Sequence, residues 1–177
     1  LANEQKEIIK ENYDNLSDKV KEFDFGIILK NRIHNWKSLS INSTAPNFEY
    51  QTYKNGKYKL SENDGKYIVL DFWGSWCGPC IMEMPKMKEF YKINKHKVEI
   101  IGIAARDKEK NWIKAIKENE LNWKHILNNK EKDDLVKKYG ISGFPTKIII
   151  NPNGKIEGIY SGIKEDFYLK MKELLKK

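Results

Sequence analysis

The chain is short of cysteine, arginine and long apolar runs, and each shortage excludes something. Two cysteines in 177 residues cannot staple a disulfide scaffold or fill a closed four-cysteine zinc site. No stretch reaches the roughly 18 apolar residues that a membrane-spanning helix needs. The 33 basic residues against 25 acidic ones give a net charge of +8, yet only Arg32 and Arg106 are arginines. The lysines are scattered along the whole chain among Glu and Asp, whereas nucleic-acid binders gather their cations into a patch or stripe. The charge therefore reads as a solvated, lysine-rich surface, and no nucleic-acid partner is expected. The opening residues Leu1-Ala2-Asn3-Glu4 carry neither the basic start nor the apolar stretch of an export signal. Without an initiating Met the chain reads as a processed form, which leaves its compartment open.

Core material is present: five Trp, nine Tyr and seven Phe exclude disorder throughout. The length fits one domain with an appendage. Residues 1–44 have no Cys and no Pro. Ile9, Tyr13, Leu16, Val20 and Phe23 step by four, three, four and three, which predicts one helical stripe. A turn near Asp24-Phe25-Gly26 and a second helix through Leu29, Ile33 and Trp36 follow. This segment is expected to be a helical extension or the tail of an upstream domain, with the boundary at Ala45-Pro46.

Beyond it, Asn55-Gly56 between aromatic runs predicts a small hairpin. Tyr67–Trp73 and Val98–Ala104 read as buried strands. Residues 77–95 read as a helix interrupted at Pro85, and 107–119 as a helix carrying Trp112, Ile113 and Ile116 on one face. A short strand at Trp123–Leu127, a helix over 131–139, a strand pair around Asn151-Pro152-Asn153-Gly154 and a closing helix over 164–176 complete the pattern. Helices alternating with buried strands, then a late hairpin, predict an α/β domain of three layers.

The chemistry concentrates in Trp76-Cys77-Gly78-Pro79-Cys80, which follows a strand and opens a helix. A C-x-x-C in that context reads as a dithiol redox site. The unpaired N–H groups and the dipole of a helix N-terminus favour an anion, so the Cys77 thiolate is expected to be stabilised. Cys80 lies one turn on, within reach for a disulfide and expected to be further from solvent. Pro79 falls in the first turn, where a missing N–H does no harm. A zinc site would need two more ligands, and His34, His96 and His125 show no ligand spacing; they read as surface or partly buried side chains.

Val69-Leu70-Asp71-Phe72-Trp73-Gly74-Ser75-Trp76-Cys77-Gly78-Pro79-Cys80 resembles the active-site strand and helix start of the thioredoxin family. Ser142-Gly143-Phe144-Pro145-Thr146 resembles that family's loop with a cis-proline facing the cysteines. Ala45-Pro46-Asn47-Phe48, together with the insertion after Val98–Ala104, is similar to the TlpA/ResA-like thiol-disulfide oxidoreductases of bacterial cell envelopes. The resemblance covers about residues 45–177. It implies a thioredoxin fold: a central mixed β-sheet flanked by helices, with an inserted α/β element.

The resemblance also implies roles. Cys77 would attack the substrate disulfide, and Cys80 would resolve the mixed disulfide. Asp71, six residues before Cys77, would be a buried acid relaying a proton for the resolving thiol. Pro145 would turn the Phe144 backbone toward a substrate strand, and Trp76, Gly78 and Pro79 would line the same surface. Pro85 would be structural, and Phe72, Trp73 and Met84 would be core. Asp107 is the nearest candidate for an acidic residue carried by cytochrome-maturation members. No bound cofactor is needed, because the electrons travel in the cysteine pair. The Gly78-Pro79 pair resembles reducing members, so protein disulfides would be the substrates and a membrane-bound dithiol the electron donor, in the cell envelope. Two alternatives stand beside this: a binding module with a vestigial dithiol, and a thiol peroxidase, against which Gly74 occupies the place where a peroxidatic Thr belongs.

Overall fold

The structure, a computed structural model, describes residues 3–54, 56–129 and 133–176, and of 3–6, 31–32 and 34–38 the backbone only. Leu1, Asn55 of the expected hairpin turn, the first two residues of the expected 131–139 helix and the side chains of His34 and Trp36 lie outside the described residues. The chain divides into two compact units, Leu1–Ser40 and Ile41–Lys177.

The first unit holds three helices: α1 (Asn3–Asp14), α2 (Asp18–Glu22) and α3 (Asp24–Ser38). The expected helix ending at Phe23 is broken once inside, between Asp14 and Asp18, and ends at Glu22. Ser17 and Phe23 both adopt extended backbone, and Ser and Asp at the breaks favour helix starts over helix interiors. The expected turn at 24–26 is instead the first turn of α3. Gly26 is needed there: a Cβ would sit 2.5 Å from the Val20 carbonyl oxygen, so only glycine allows α3 to pack this closely on α2. The stripe is consequently split. Tyr13 is buried and Leu16 half-buried, while Val20 and Phe23 are exposed.

The second unit begins at Ile41 rather than at Ala45 because its backbone is already paired there. Asn42 N–H donates to the Ile156 carbonyl at 2.8 Å, and Ala45 N–H to Gly154 at 2.9 Å. A hairpin of β1 (Glu49–Thr52) and β2 (Gly56–Lys59) follows. The remainder runs β3 (Tyr67–Trp73), α4 (Gly78–Asn94), β4 (Val98–Ala105), α5 (Glu109–Glu118), β5 (Lys124–Asn128), α6 (Leu135–Lys138), β6 (Thr146–Ile150), β7 (Ile156–Ser161) and α7 (Glu165–Leu174).

The five long strands form one mixed sheet in the order β5-β4-β3-β6-β7. β4 is parallel to both β3 and β5, and β6 is antiparallel to both β3 and β7. The right-handed crossover rule places α4 and α5 on the same face, since β3→β4→β5 steps in one direction. Side chains alternate across β3. Val69 and Trp73 join the core formed with Met84 and Met87 of α4, Trp112 of α5 and Phe167 of α7. Phe72 faces the other way and meets the Tyr139 ring, which in turn packs edge-on against Phe48. With both faces covered, β3 reads as a nearly continuous apolar run. Asp71 is its sole charged residue, and it lies on the α4 face.

α4 is not interrupted at Pro85 but runs through it. Proline removes one backbone donor, the one that would reach Ile81, and burial of Met84 and Met87 on either side holds the helix together. Among the described residues no helix is long and apolar enough to cross a membrane.

Candidate active site

The end of β3 delivers Gly74-Ser75-Trp76 to the edge of the sheet, and Cys77 caps α4. Cys77 has extended backbone, and its Sγ accepts from the Cys80 N–H at 3.3 Å. The two cysteines form a disulfide with Cα atoms 5.2 Å apart. In the disulfide the two cysteines are almost equally buried, Cys77 at 5 % and Cys80 at 4 % exposure. Pro79 lies in the first helical turn, and Gly78 has no neighbour where a Cβ would point.

Trp76 is 50 % exposed but firmly held. Its Nε1 donates to the Ala105 carbonyl at 2.9 Å, and its ring meets Phe144 edge-on at 5.4 Å. Gly74 makes room for it: a Cβ there would lie 2.5 Å from Trp76 Nε1. The last residue of β4 and the two that follow it brace this loop. Ala105 receives the indole, and Arg106, at φ 52°, places its guanidinium 6.0 Å from the Phe144 ring centroid. Asp107 accepts from both the amide and the hydroxyl of Ser75.

The Phe144–Pro145 peptide bond is cis. The loop is tied on both sides. The Pro145 carbonyl accepts from Gly162 N–H at 2.8 Å, and Thr146 Oγ1 donates to the Gly143 carbonyl at 2.8 Å. Through Phe144 and Trp76 this loop and the cysteine-bearing loop share one surface.

Beneath α4 lies a buried charged cluster. Lys147 stands opposite Asp71 in the β3–β6 register. Its Nζ lies 2.6 Å from Glu83 Oε2 and 3.5 Å from Asp71 Oδ1, and Tyr168 OH donates to Glu83 Oε1 at 3.0 Å. Burial pushes the Asp71 carboxyl well above the usual carboxylate range; Lys147 opposes this, and the charge of Glu83 adds to it. The same surroundings push the Tyr168 phenol up, burial first and Glu83 second.

Sequence reasoning singled out Asp71 as a lone charge in an apolar strand but missed two residues carrying the same signal. Lys147 opens the run Lys147-Ile148-Ile149-Ile150. Glu83 stands between Met82 and Met84, one helical turn after Cys80 and so on its face. His125, expected at the surface or partly buried, is fully buried. It lies between the Trp73 and Trp123 rings, 5.8 and 5.5 Å away, in space left by its cross-strand neighbour Gly102, where a Cβ would be 2.6 Å from His125 Nδ1. Burial pulls this imidazole down to about 3, against a weaker opposing pull from the Leu121 backbone, so it is neutral. His96 is exposed, as expected.

A family model described as thioredoxin-like matches residues 64–156, the stretch that carries Asp71, both cysteines, Asp107 and the cis-proline loop. The chain belongs to the thioredoxin-like family. It is 33 % identical over 132 residues to the thiol-disulfide oxidoreductase ResA of Geobacillus thermodenitrificans, a match covering 73 % of this chain and 75 % of that relative. Against ResA of Bacillus subtilis it is 32 % identical over 127 residues, covering 71 % and 70 %. The thioredoxin domain of a thiol-disulfide oxidoreductase from Bacteroides vulgatus superposes with a TM-score of 0.69 at 31 % identity, over 77 % of this chain and 99 % of that one. A thiol-disulfide oxidoreductase from Bacteroides fragilis gives 0.66 at 29 % identity, over 75 % and 99 %. With its paired cysteines at the head of α4, this thioredoxin-like chain is a thiol-disulfide oxidoreductase.

Proposed function

We propose that the chain reduces protein disulfides in the bacterial cell envelope, drawing electrons from a membrane-bound dithiol and needing no bound cofactor. The observation that carries this reading is the Cys77–Cys80 pair at the N-terminus of α4, preceded by Trp76, whose ring meets that of Phe144. In the dithiol form, the helix N-terminus favours the Cys77 thiolate. That thiolate attacks one sulfur of the substrate disulfide; a Cys77–substrate bond forms, and the other substrate sulfur leaves as a thiolate and takes a proton from water. Cys80 gives its proton to the Asp71 carboxylate and attacks Cys77. The Cys77–Cys80 bond forms as the Cys77–substrate bond breaks, and the second substrate sulfur leaves as a thiolate that takes a proton from water, so the protein dithiol is oxidised by two electrons and the substrate disulfide is reduced.

Trp76 and Phe144 supply apolar contact for the incoming chain. Gly78 and Pro79 leave the approach to Cys77 open, and the loop before Pro145 presents the Phe144 backbone to pair with an extended substrate. Burial raises the proton affinity of the Asp71 carboxyl, which favours its taking the proton of the resolving thiol.

The test is insulin reduction with dithiothreitol as donor, together with the reduction potential of the cysteine pair. The reading expects turnover that Cys77→Ser abolishes and a potential near that of thioredoxin, about −270 mV. A potential near that of DsbA, about −120 mV, would reverse the direction and make the protein an oxidant.

A further inference from the structure

The buried cluster beneath α4 contains two carboxyls and one ammonium. Fully ionised, it carries one net negative charge in a site closed to solvent. One proton neutralises it, and the geometry decides where that proton sits. Both oxygens of Glu83 have donors: Oε2 faces Lys147 Nζ at 2.6 Å, and Oε1 accepts from Tyr168 OH at 3.0 Å. Protonating Glu83 would give up a close charge-assisted contact. Asp71 Oδ1 has no hydrogen-bond partner among the described residues and only the ammonium at 3.5 Å. Asp71 is therefore the carboxyl that is cheap to protonate.

The remaining neighbours do not change this count. On α7, Phe167 offers its ring to the ammonium at 5.7 Å. On β7, Tyr160 is the cross-strand neighbour of Lys147, with burial pushing its phenol up. Lys86 lies over the Tyr168 ring at 4.2 Å and pairs outward with exposed Glu165.

We propose that Lys147 is a positioning residue that assigns the exchangeable proton: it holds Glu83 as a fixed anion and leaves Asp71 as the group that takes up and releases the proton of Cys80. Lys147 arrives on the strand that follows Pro145, so the element that presents the substrate loop also sets the charge under the cysteines. This rests on the reading that Asp71 relays for Cys80. It adds that Lys147 and Glu83 act on the Asp71 proton with opposite sign, so that removing the one or the other charge moves it in opposite directions. Removing the ammonium raises the proton affinity of both carboxyls, so Asp71 stays protonated to higher pH. Neutralising Glu83 releases the ammonium to Asp71 alone and removes a neighbouring negative charge, so Asp71 loses its proton at lower pH.

The experiment is stopped-flow reaction of the reduced full chain with dithionitrobenzoate between pH 5 and 9. The first release of thionitrobenzoate reports attack by Cys77, and the second reports resolution by Cys80. The midpoint of the second step should move up by at least one pH unit in Lys147→Met, slowing resolution about tenfold at neutral pH, and should move down in Glu83→Gln. A merely structural role for Lys147 would shift both variants the same way or neither, and that overturns the proposal. If Lys147→Met does not fold, Glu83→Gln alone decides, since an upward or absent shift overturns it. A wild-type protein that gives the first release without the second overturns the dithiol mechanism itself, a result distinct from wrong-signed shifts on an intact second step.

Discussion

Asp107 accepts two hydrogen bonds from a single residue, Ser75: one from its amide at 2.6 Å and one from its hydroxyl at 2.7 Å. The two residues are 32 positions apart and lie at the ends of the adjacent parallel strands β4 and β3. The carboxylate thus fixes the loop whose next two residues are Trp76 and Cys77. Asp107→Ala leaves the Ser75 amide without its acceptor, a loss of about 1–3 kcal/mol for a covered donor. The expected outcome is a lower melting temperature, altered Trp76 fluorescence and a several-fold drop in insulin reduction. Asp107→Asn, which keeps an acceptor oxygen, should fall between.

Gly74→Ala should act on the same loop from the other side. The added Cβ would meet Trp76 Nε1 at 2.5 Å, so the indole must leave its bond to Ala105. A red-shifted emission and a raised KM for protein disulfides, with less effect on kcat, are expected from steady-state kinetics.

The two cysteines should separate cleanly. Cys77→Ser abolishes exchange, because no attacking sulfur faces the substrate. Cys80→Ser attacks but cannot resolve, and it accumulates mixed disulfides visible by non-reducing electrophoresis and mass spectrometry. Absence of any covalent adduct in Cys80→Ser under oxidising conditions would contradict the mechanism.

Asp71→Asn should exchange activity for stability. The folded carboxyl binds its proton more tightly than the unfolded one, so its ionisation opposes folding: stability falls as pH rises from the unfolded value of about 3.9 through the folded one. Removing the charge is therefore expected to stabilise the protein at pH 8, by about 1.4 kcal/mol for each unit of the shift, and to have little effect at pH 3. Urea denaturation at the two pH values reads this directly. Resolution by Cys80 should slow on the order of 100-fold, the scale of a lost general base.

His125 gives a second pH dependence of opposite sense. Its folded value of about 3 lies below the ordinary value of about 6.5. Its contribution is present above pH 6.5 and is lost as pH falls toward 3, because the unfolded chain takes up the proton first. The slope is at most about 1.4 kcal/mol per pH unit in that window. His125→Leu should flatten the stability profile between pH 6 and 4, whatever it does to stability at pH 7.

Much of the fold was legible because periodicity is local. The apolar run of β3, the helical spacing of α5 and the Gly154 turn before β7 are each written within a few residues, and so is the C-x-x-C at a helix start. The helix break at Ser17 was not visible, since the stripe of Tyr13, Leu16 and Val20 continues across it in register, whereas the break at Phe23 lies one residue before the expected turn. The passage of α4 through Pro85 was likewise hidden, because packing of Met84 and Met87 outweighs one missing backbone donor.

By itself the sequence determined the chemistry of the pair: two thiols one helical turn apart at a strand-to-helix junction, where the backbone favours a thiolate whatever surrounds it. Only the tertiary structure decided the company they keep. Glu83 and Lys147 are 64 positions apart, as are Ser75 and Asp107 by 32, and no local pattern links them. They meet because β3 takes β4 on one side and β6 on the other, and because charges closed off from water must find partners across the sheet.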